Sequence, residues 1–195
     1  MIEQTTGTAA PDLAAGASSL DEDAARAKVR ALLDWGRDEL DLLASAFRGC
    51  SDEQLGQIAE AQQAAVLPAA YHEFLRRAGQ GGIGSAIAEI FPGDDVDFDS
   101  ILSSQDWVGM RALAEEIAAD AVADVDLTGR AVVRVHRLAS FEYIETTVPD
   151  PPVWRLDETA AAAVQEEPSF TAWLERRIGR AIKRRYPLRD AHFRG

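Results

Sequence analysis

The spacing of apolar residues changes partway along this chain, and that change restricts the fold more than any other feature. Up to about residue 121, apolar residues recur three and four positions apart, the period of a helix with one buried face. Between residues 131 and 156, β-branched and aromatic residues alternate with polar ones, the period of a strand. A helical pattern returns after Ser169. This order predicts an α+β fold with N-terminal helices packed on one face of a mostly antiparallel sheet, closed by a C-terminal helix.

Capping patterns and helix breakers predict where the helices begin and end. Ser51 and Gln54 have the spacing of a capping box, in which each side chain bonds the backbone N–H of the other residue. Ser19 and Glu22 have the same spacing. Glycine and proline mark further boundaries, because glycine commonly ends a helix and proline suits its first turn. The expected helices cover residues 19–49, 51–65, 68–78, 105–123 and 169–182, and a weakly helical stretch covers 160–164.

The strand patterns are short and close together. The segments Ala131–Leu138 and Phe141–Thr147 are separated by two residues, which predicts an antiparallel hairpin. Val153–Leu156 is predicted to form a third strand. Trp154 in that strand and Trp173 in the last helix are expected to be buried and to join the sheet to the helix.

The length of 195 residues suits one domain with extensions. Residues 1–18 are small and polar and are expected to be a disordered leader, 19–186 to form one domain, and 187–195 to be a basic tail. One Cys excludes a disulfide framework, and no stretch approaches the roughly 20 apolar residues of a membrane span. Because the leader also lacks the pattern of a signal peptide, we expect a cytoplasmic protein. The preference for Arg and Ala suggests a GC-rich bacterial genome.

Acidic residues outnumber basic ones by 33 to 20, so the chain carries a net charge of −13. Such a surface repels phosphate backbones and anionic lipids, which argues against general binding to nucleic acid or membrane. It favours a basic protein partner. The C-terminal segment 175–195 has the opposite sign, and its cations either form a solvated helix face or bind an anion.

Two motifs invite a cofactor or metal interpretation. Gly79–Gly84 has the spacing G-x-G-x-x-G, but it follows a helix rather than a strand, which favours a helix stop and a loop with positive φ values over a dinucleotide site. Asp95–Asp106 places carboxylates at calcium-loop spacing, but Ser100 stands where the sharp turn requires Gly. A solvated acidic loop or a short strand explains this run better. No cofactor is therefore predicted.

The remaining chemistry-bearing residues are isolated in the sequence. The three histidines, His72, His136 and His192, form no pair at metal-ligand spacing. Cys50 follows a helix-ending glycine, and a packed thiol is favoured over a nucleophile. We therefore predict no metal site, no catalytic residue and no enzymatic activity.

Short motifs in a fixed order resemble the SMI1/KNR4 (SUKH) family. A helical Glu precedes Leu-Pro, an aromatic residue three positions after the Pro, Phe-Leu and then Gly-Gly, and a Val-Trp strand and a Ser-Phe helix start follow. Gln80 replaces the Asn that the family places before Gly-Gly. The resemblance covers residues 50–180 and makes 19–49 an extra N-terminal helix. The matching structural positions are Glu60, Leu67, Pro68, Tyr71, Phe74, Leu75, Gly81, Gly82, Trp154 and Phe170.

This resemblance implies an α+β interaction module without enzymatic activity. Bacterial members are commonly immunity proteins that neutralise nuclease or deaminase toxins, and fungal members act as signalling scaffolds. The leading hypothesis is therefore an immunity protein that binds a basic toxin through an acidic surface. The alternatives are a scaffold or regulatory module without a toxin partner and, last, an enzyme or calcium sensor. The predicted partner-binding residues are Asp94, Asp95, Asp97, Asp99, Asp106, Glu115 and Glu116, with Asp120 and Asp124 as a possible extension.

Overall fold

The computed structural model describes residues 20–40, 49–79, 107–123, 125–136, 140–157 and 159–185. Within these ranges the chain is α+β, with four helices, a four-stranded sheet and a closing helix, as the sequence predicts. The predicted leader and tail lie outside them. In chain order the elements are α1 (Glu22–Leu40), α2 (Asp52–Ala61), α3 (Ala69–Ala78), α4 (Trp107–Asp120), β1 (Arg130–His136), β2 (Ser140–Glu145), β3 (Val153–Asp157), β4 (Val164–Glu167) and α5 (Phe170–Arg185).

Helix α1 begins at a different cap from the one predicted. The backbone N–H of Ala24 donates to Asp21 Oδ1 over 2.8 Å, so an aspartate satisfies this amide. One face of the helix is buried and packs on α3 and α5. Gly36 lies on that face, and a Cβ there would be 3.0 Å from Ile178 Cγ2. The absent side chain therefore allows α1 and α5 to approach closely.

Helix α2 confirms the predicted capping box and ends earlier than predicted. Ser51 Oγ accepts from the Gln54 N–H at 3.2 Å, and Gln54 Oε1 accepts from the Ser51 N–H at 2.9 Å. The last helical residue is Ala61 rather than Ala65. Gln63 then adopts a φ of 53°, a left-handed conformation that cannot continue the helix.

The sheet is antiparallel throughout, in the order β1-β2-β3-β4. The predicted hairpin is confirmed, with Val135 opposite Phe141 and a register shift between Val132 and Arg134. The third predicted strand is β3. The central residues of β2 are all buried, and since successive side chains point to opposite faces, both faces of this strand are covered.

The weak helix predicted at 160–164 is wrong, and β4 follows there instead. Val164–Glu167 pairs antiparallel with β3, with Val164 opposite Arg155. The segment has one apolar residue in four, with its first two residues exposed and its last two half-buried, so it has no strand periodicity of its own. Arg176 of α5 is ion-paired with Glu166 at 3.0 Å. Pairing with β3 and this contact from the following helix therefore stabilise β4 as a strand.

Aromatic residues of α3 and α5 meet in the core. Phe170 lies 5.4 Å from the Tyr71 ring and 5.7 Å from the Phe74 ring, both edge to face, and stacks on Trp173 at 5.3 Å. Trp154 is 9% exposed and Trp173 is 3% exposed, which confirms the predicted burial of both. Because aromatic side chains bury a large area, this cluster fixes α3 and α5 against each other.

The N-terminus of α5 is held by two capping groups. Ser169 Oγ accepts from the Ala172 N–H at 3.1 Å, as the predicted cap requires. The buried Asp150 accepts from the Thr171 N–H at 2.9 Å and from the Thr171 hydroxyl at 2.7 Å. A buried carboxylate at a helix N-terminus is stabilised by these donors and by the helix dipole.

Candidate protein-binding surface

Part of the predicted acidic surface lies on α4. Glu115 and Glu116 are exposed on this helix, and Asp120 is exposed one turn further on. We call these three residues the acidic face of α4. Met110, Ala114 and Ile117 form the opposite, buried side. The predicted aspartates of the preceding segment lie outside the described residues, as does Asp124; they are Asp94, Asp95, Asp97, Asp99 and Asp106.

A buried arginine that the sequence analysis missed holds Glu115 in place. Arg111 Nε donates to Glu115 Oε1 at 2.7 Å, and its side chain is 6% exposed against 46% for Glu115. Arg111 Nη1 also donates to the carbonyls of Gln62 at 3.0 Å and Arg130 at 2.8 Å. One guanidinium therefore joins the end of α2 and the start of β1 to α4. The i,i+4 spacing to Glu115 was the available signal for this residue.

Neighbouring side chains cap the outer edge of β1. Gln62 is fully buried, and its Oε1 accepts from the Val132 N–H at 2.8 Å. The Tyr71 hydroxyl donates to the Val132 carbonyl at 3.5 Å. A buried strand edge needs such partners because unpaired backbone groups are costly away from water. These contacts hold the end of α2 and the start of α3 against the edge of the sheet.

A cleft of about 350 Å³ opens beside the acidic face of α4. We call it the α4 cleft. Its wall comes from α4, from Gln63 and from the segment 125–128. Asp126 in that segment has a pKa below its ordinary value because the Thr128 backbone N–H, at 2.8 Å from Oδ1, stabilises the charged carboxylate. The lining residues are Gln63, Arg111, Glu115, Ala118, Ala119, Val125, Asp126, Leu127 and Thr128.

Helix α5 is positively charged, and one of its arginines, Arg177, binds a buried carboxylate of the sheet. Glu142 is 2% exposed and accepts from Arg177 Nη2 at 3.0 Å and from Trp173 Nε1 at 3.0 Å. The Arg177 guanidinium also lies 4.4 Å from the Trp173 ring centre. Burial, and then the charge of Arg177, lowers the pKa of the nearby Arg134 to about 9. The cations of α5 thus neutralise a buried acid of the sheet.

A second buried carboxylate joins α1 to α3. Glu73 is 6% exposed, accepts from Arg77 Nε at 2.7 Å, and lies 3.4 Å from Arg30 Nη1. Burial alone would raise the pKa of Glu73, but the hydrogen bond and charge of Arg77, helped by Arg30, hold it below its ordinary value. Beside it, the pKa of His72 is lowered by burial and by the charges of Arg26 and Arg76.

Gly79, the one described residue of the glycine-rich motif, and Cys50 both have packing roles. Gly79 ends α3 with a helical φ of −63°, not the positive φ expected of that loop, and a Cβ there would lie 2.6 Å from Cys50 Sγ. Residues 80–84 lie outside the described ranges. Burial raises the pKa of the Cys50 thiol, which favours the unreactive protonated form. His136 is the last residue of β1, and His192 is outside the described part of the chain.

Most of the described residues that carry the family resemblance are buried. Leu67, Pro68, Tyr71 and Phe74 are buried at and after the start of α3. The rings of Tyr71 and Phe74 contact Phe170. Leu75 and Trp154 are also buried, whereas Glu60 is exposed on α2. Gly81 and Gly82 lie outside the described residues. The buried members form a packing cluster and not a set of convergent polar groups.

The described residues contain neither a metal-binding cluster nor a membrane-spanning helix. No group of three or more His, Cys, Asp and Glu side chains in those ranges is arranged to hold a metal ion. None of the described helices combines the length and the apolar character that crossing a membrane would require. Comparison of the chain with models of protein families, with curated proteins and with solved structures finds no match.

Proposed function

We propose that this protein is a non-enzymatic binding module, an immunity protein that neutralises a bacterial toxin of the nuclease or deaminase type. The proposed partner is a basic protein in the cytoplasm, and the proposed contact surface is the acidic face of α4 with the α4 cleft. The observation that carries the proposal is the outward direction of Glu115, Glu116 and Asp120 on a chain with a net charge of −13. The resemblance of residues 50–180 to the SMI1/KNR4 family supports the toxin as the partner.

The electrostatics of a nucleic-acid enzyme explain why an acidic surface would inhibit it. Such an enzyme concentrates cations where it holds phosphate groups, and carboxylates presented on a helix can pair with the same cations. Complementary charge also accelerates the encounter of the two proteins and disfavours wrong partners. Arg111 supports this role because it limits the motion of the Glu115 carboxylate before binding.

A scaffold without a toxin partner is the second candidate, and one observation favours it. Helix α5 carries six basic residues and one acid, so the chain has a cationic helix as well as an acidic one. Arg180 and Lys183 are exposed on α5, so this helix presents cations to a second, acidic partner. A scaffold would bind several proteins more weakly than an immunity protein binds one toxin.

Co-expression with the product of the adjacent gene tests the proposal. We expect a stable complex that rescues cells from that product. Its association rate should fall as the salt concentration rises from 50 to 500 mM, because the screening length of the solution shortens from about 14 to about 4 Å over that range. The variant Glu116→Gln/Asp120→Asn should slow association by roughly tenfold at low salt.

A matched control separates this surface from net charge alone. Asp23 and Asp38 are exposed on α1, so Asp23→Asn/Asp38→Asn removes the same two charges elsewhere. We expect this control to retain most of the association rate. Absence of rescue and of any complex would contradict the toxin-neutralising function, and capture of several weak partners without rescue would favour the scaffold.

A further inference from the structure

The charges between α5 and the sheet are balanced at the β4 end. Arg155 Nη1 lies 3.9 Å from Glu166 Oε2, and Arg176 Nη2 lies 3.0 Å from Glu166 Oε1. Arg176 is also paired with Glu167. Among the described residues, two cations therefore face two acids at this end, and their charges cancel.

The β1 end has an excess of positive charge. Arg134 and Glu142 are opposite each other on β1 and β2, so their side chains share the sheet face that α5 covers. Arg177 binds Glu142 from α5, and Arg180 follows one turn later, exposed and without an ion pair to a described residue. After burial, the charges of Arg177 and Arg180 lower the pKa of Arg134, so these cations act on one another. We call Arg134, Arg177 and Arg180 the arginine cluster; its three charges share one carboxylate.

Arg177 has donors left over after it binds Glu142. Its Nη2 donates to both carboxylate oxygens, at 3.1 and 3.0 Å, and no described residue accepts a hydrogen bond from its Nη1 or its buried Nε. The Trp173 ring lies 4.4 Å from the guanidinium carbon and covers one of its faces. The guanidinium is therefore held in place by two contacts while part of its donor edge has no acceptor.

The excess charge and the remaining donors select one class of ligand. Two uncompensated positive charges match a compact dianion, and planar guanidinium groups bind phosphate through paired N–H donors. An apolar ligand would desolvate the cations without a counter-charge, and a cationic one would add to their repulsion. A long polyanion such as nucleic acid is disfavoured because the chain carries a net charge of −13.

We propose that the arginine cluster binds a phosphate-type oxyanion, either inorganic phosphate or the phosphate group of a small ligand. Arg177 donates to the anion from its remaining N–H groups, Arg180 contacts it from the solvent side, and Arg134 adds charge from the sheet. The cluster belongs to β1 and α5, not to the acidic face of α4, so this proposal does not depend on the proposed function.

Titration of the full chain with inorganic phosphate at constant ionic strength, followed by the NMR signals of the arginine Nε–H groups, tests the proposal. We expect the signals of Arg177 and Arg180 to shift along a saturating curve. Arg180→Gln should weaken phosphate binding by about tenfold, the loss typical of a charged hydrogen bond. Because Arg180 is exposed, this variant should fold as the native protein does. Methyl phosphate in a parallel titration identifies the source, since tighter binding of the ester indicates a small ligand and tighter binding of the free anion indicates inorganic phosphate.

A matched variant and a second anion separate this site from general salt effects. Lys28 is exposed on α1, so Lys28→Gln removes one positive charge from a different helix. It should change phosphate affinity less than about twofold, because exposed charges outside the site are screened. Shifts that grow linearly without saturation, or equal losses in Lys28→Gln and Arg180→Gln, would overturn the proposal. Acetate that binds as tightly as phosphate would overturn the selection of a dianion.

Discussion

Helices α4 and α5 use charge in opposite ways. Helix α4 has one arginine and three acids, and it buries the arginine while the acids face solvent. Helix α5 has six basic residues and one acid, and it directs Arg177 onto a buried carboxylate of the sheet. The difference shows that net charge is a poor guide to available charge. The acids of α4 are exposed to a partner, although Glu115 is also paired with Arg111, whereas some cations of α5 are paired with acids of the sheet.

Removal of Glu142, the buried acid beneath α5, tests whether the cations of α5 depend on a partner inside the fold. Glu142→Ala leaves the Arg177 guanidinium and the Trp173 N–H without their acceptor, so we expect a loss of about 3–5 kcal/mol in the free energy of unfolding. Chemical denaturation measures it. Glu175→Ala, at an exposed position of α5, should cost less than about 0.5 kcal/mol. Similar small losses for both variants would show that the cations of α5 do not depend on this carboxylate.

Removal of the single cation of α4 should have a smaller effect. Arg111→Met retains much of the apolar stem but leaves two backbone carbonyls and Glu115 without their donor, so we expect a loss of roughly 2–3 kcal/mol. Arg76→Met is the control, because that arginine is largely exposed and its ion pair with Asp52 is 3.8 Å long. If the two variants lose equal stability, Arg111 does not join α2, α4 and β1 as described.

The pH dependence of the free energy of unfolding should show the smallest effect. It depends on His72, which is half-buried and so lies between the buried and exposed charges compared above. Arg26 Nη1 lies 3.3 Å from His72 Nδ1, and because arginine only donates, the ring nitrogen must accept as a neutral imidazole. Protonation removes this bond and places a cation between Arg26 and Arg76, with Glu73 and Asp52 opposing them. The folded state therefore binds this proton less readily than the unfolded state does.

The sign of the pH effect follows from that difference. The contribution of His72 is present above its ordinary pKa of 6.5 and is lost as the pH falls through the lower folded value. Because the side chain is only partly buried, we expect less than about 1 kcal/mol. Unfolding of the native protein and of His72→Gln at pH 7.5 and 5 measures it, and the variant should lose less stability. An equal loss in both proteins would contradict a contribution from this histidine.

Local sequence patterns were sufficient for most elements. The Ser51 capping box, the β1-β2 hairpin and the Ser169 cap depend on residues a few positions apart, and all three are present. β4 was missed because its strand state depends on pairing with β3 and on Arg176, which follows ten residues after Glu166. Gln62 was missed because its role depends on Val132, seventy residues away in the chain.

The candidate site was predictable only in part. Glu115 and Glu116 were identified from the acidic pattern of a helix, and the structure places both at the surface. The predicted role of Asp94–Asp106 stays a prediction, since that segment lies outside the described residues. Asp126 and the α4 cleft could not be derived, because no periodic pattern links 125–128 to the outer wall of a helix that ends at Asp120.

The sequence by itself determined the α+β class, most helix and strand positions, and the negative charge of the molecule, since periodicity, capping residues and composition act locally or sum over the chain. Only the tertiary structure decided which charges are used inside and which remain for a partner. Contacts between distant residues set that division, as Arg111 does with Gln62 and Arg130, and as Glu142 does with Trp173 and Arg177. Burial makes those contacts strong, and local sequence patterns do not specify which charged residues are buried.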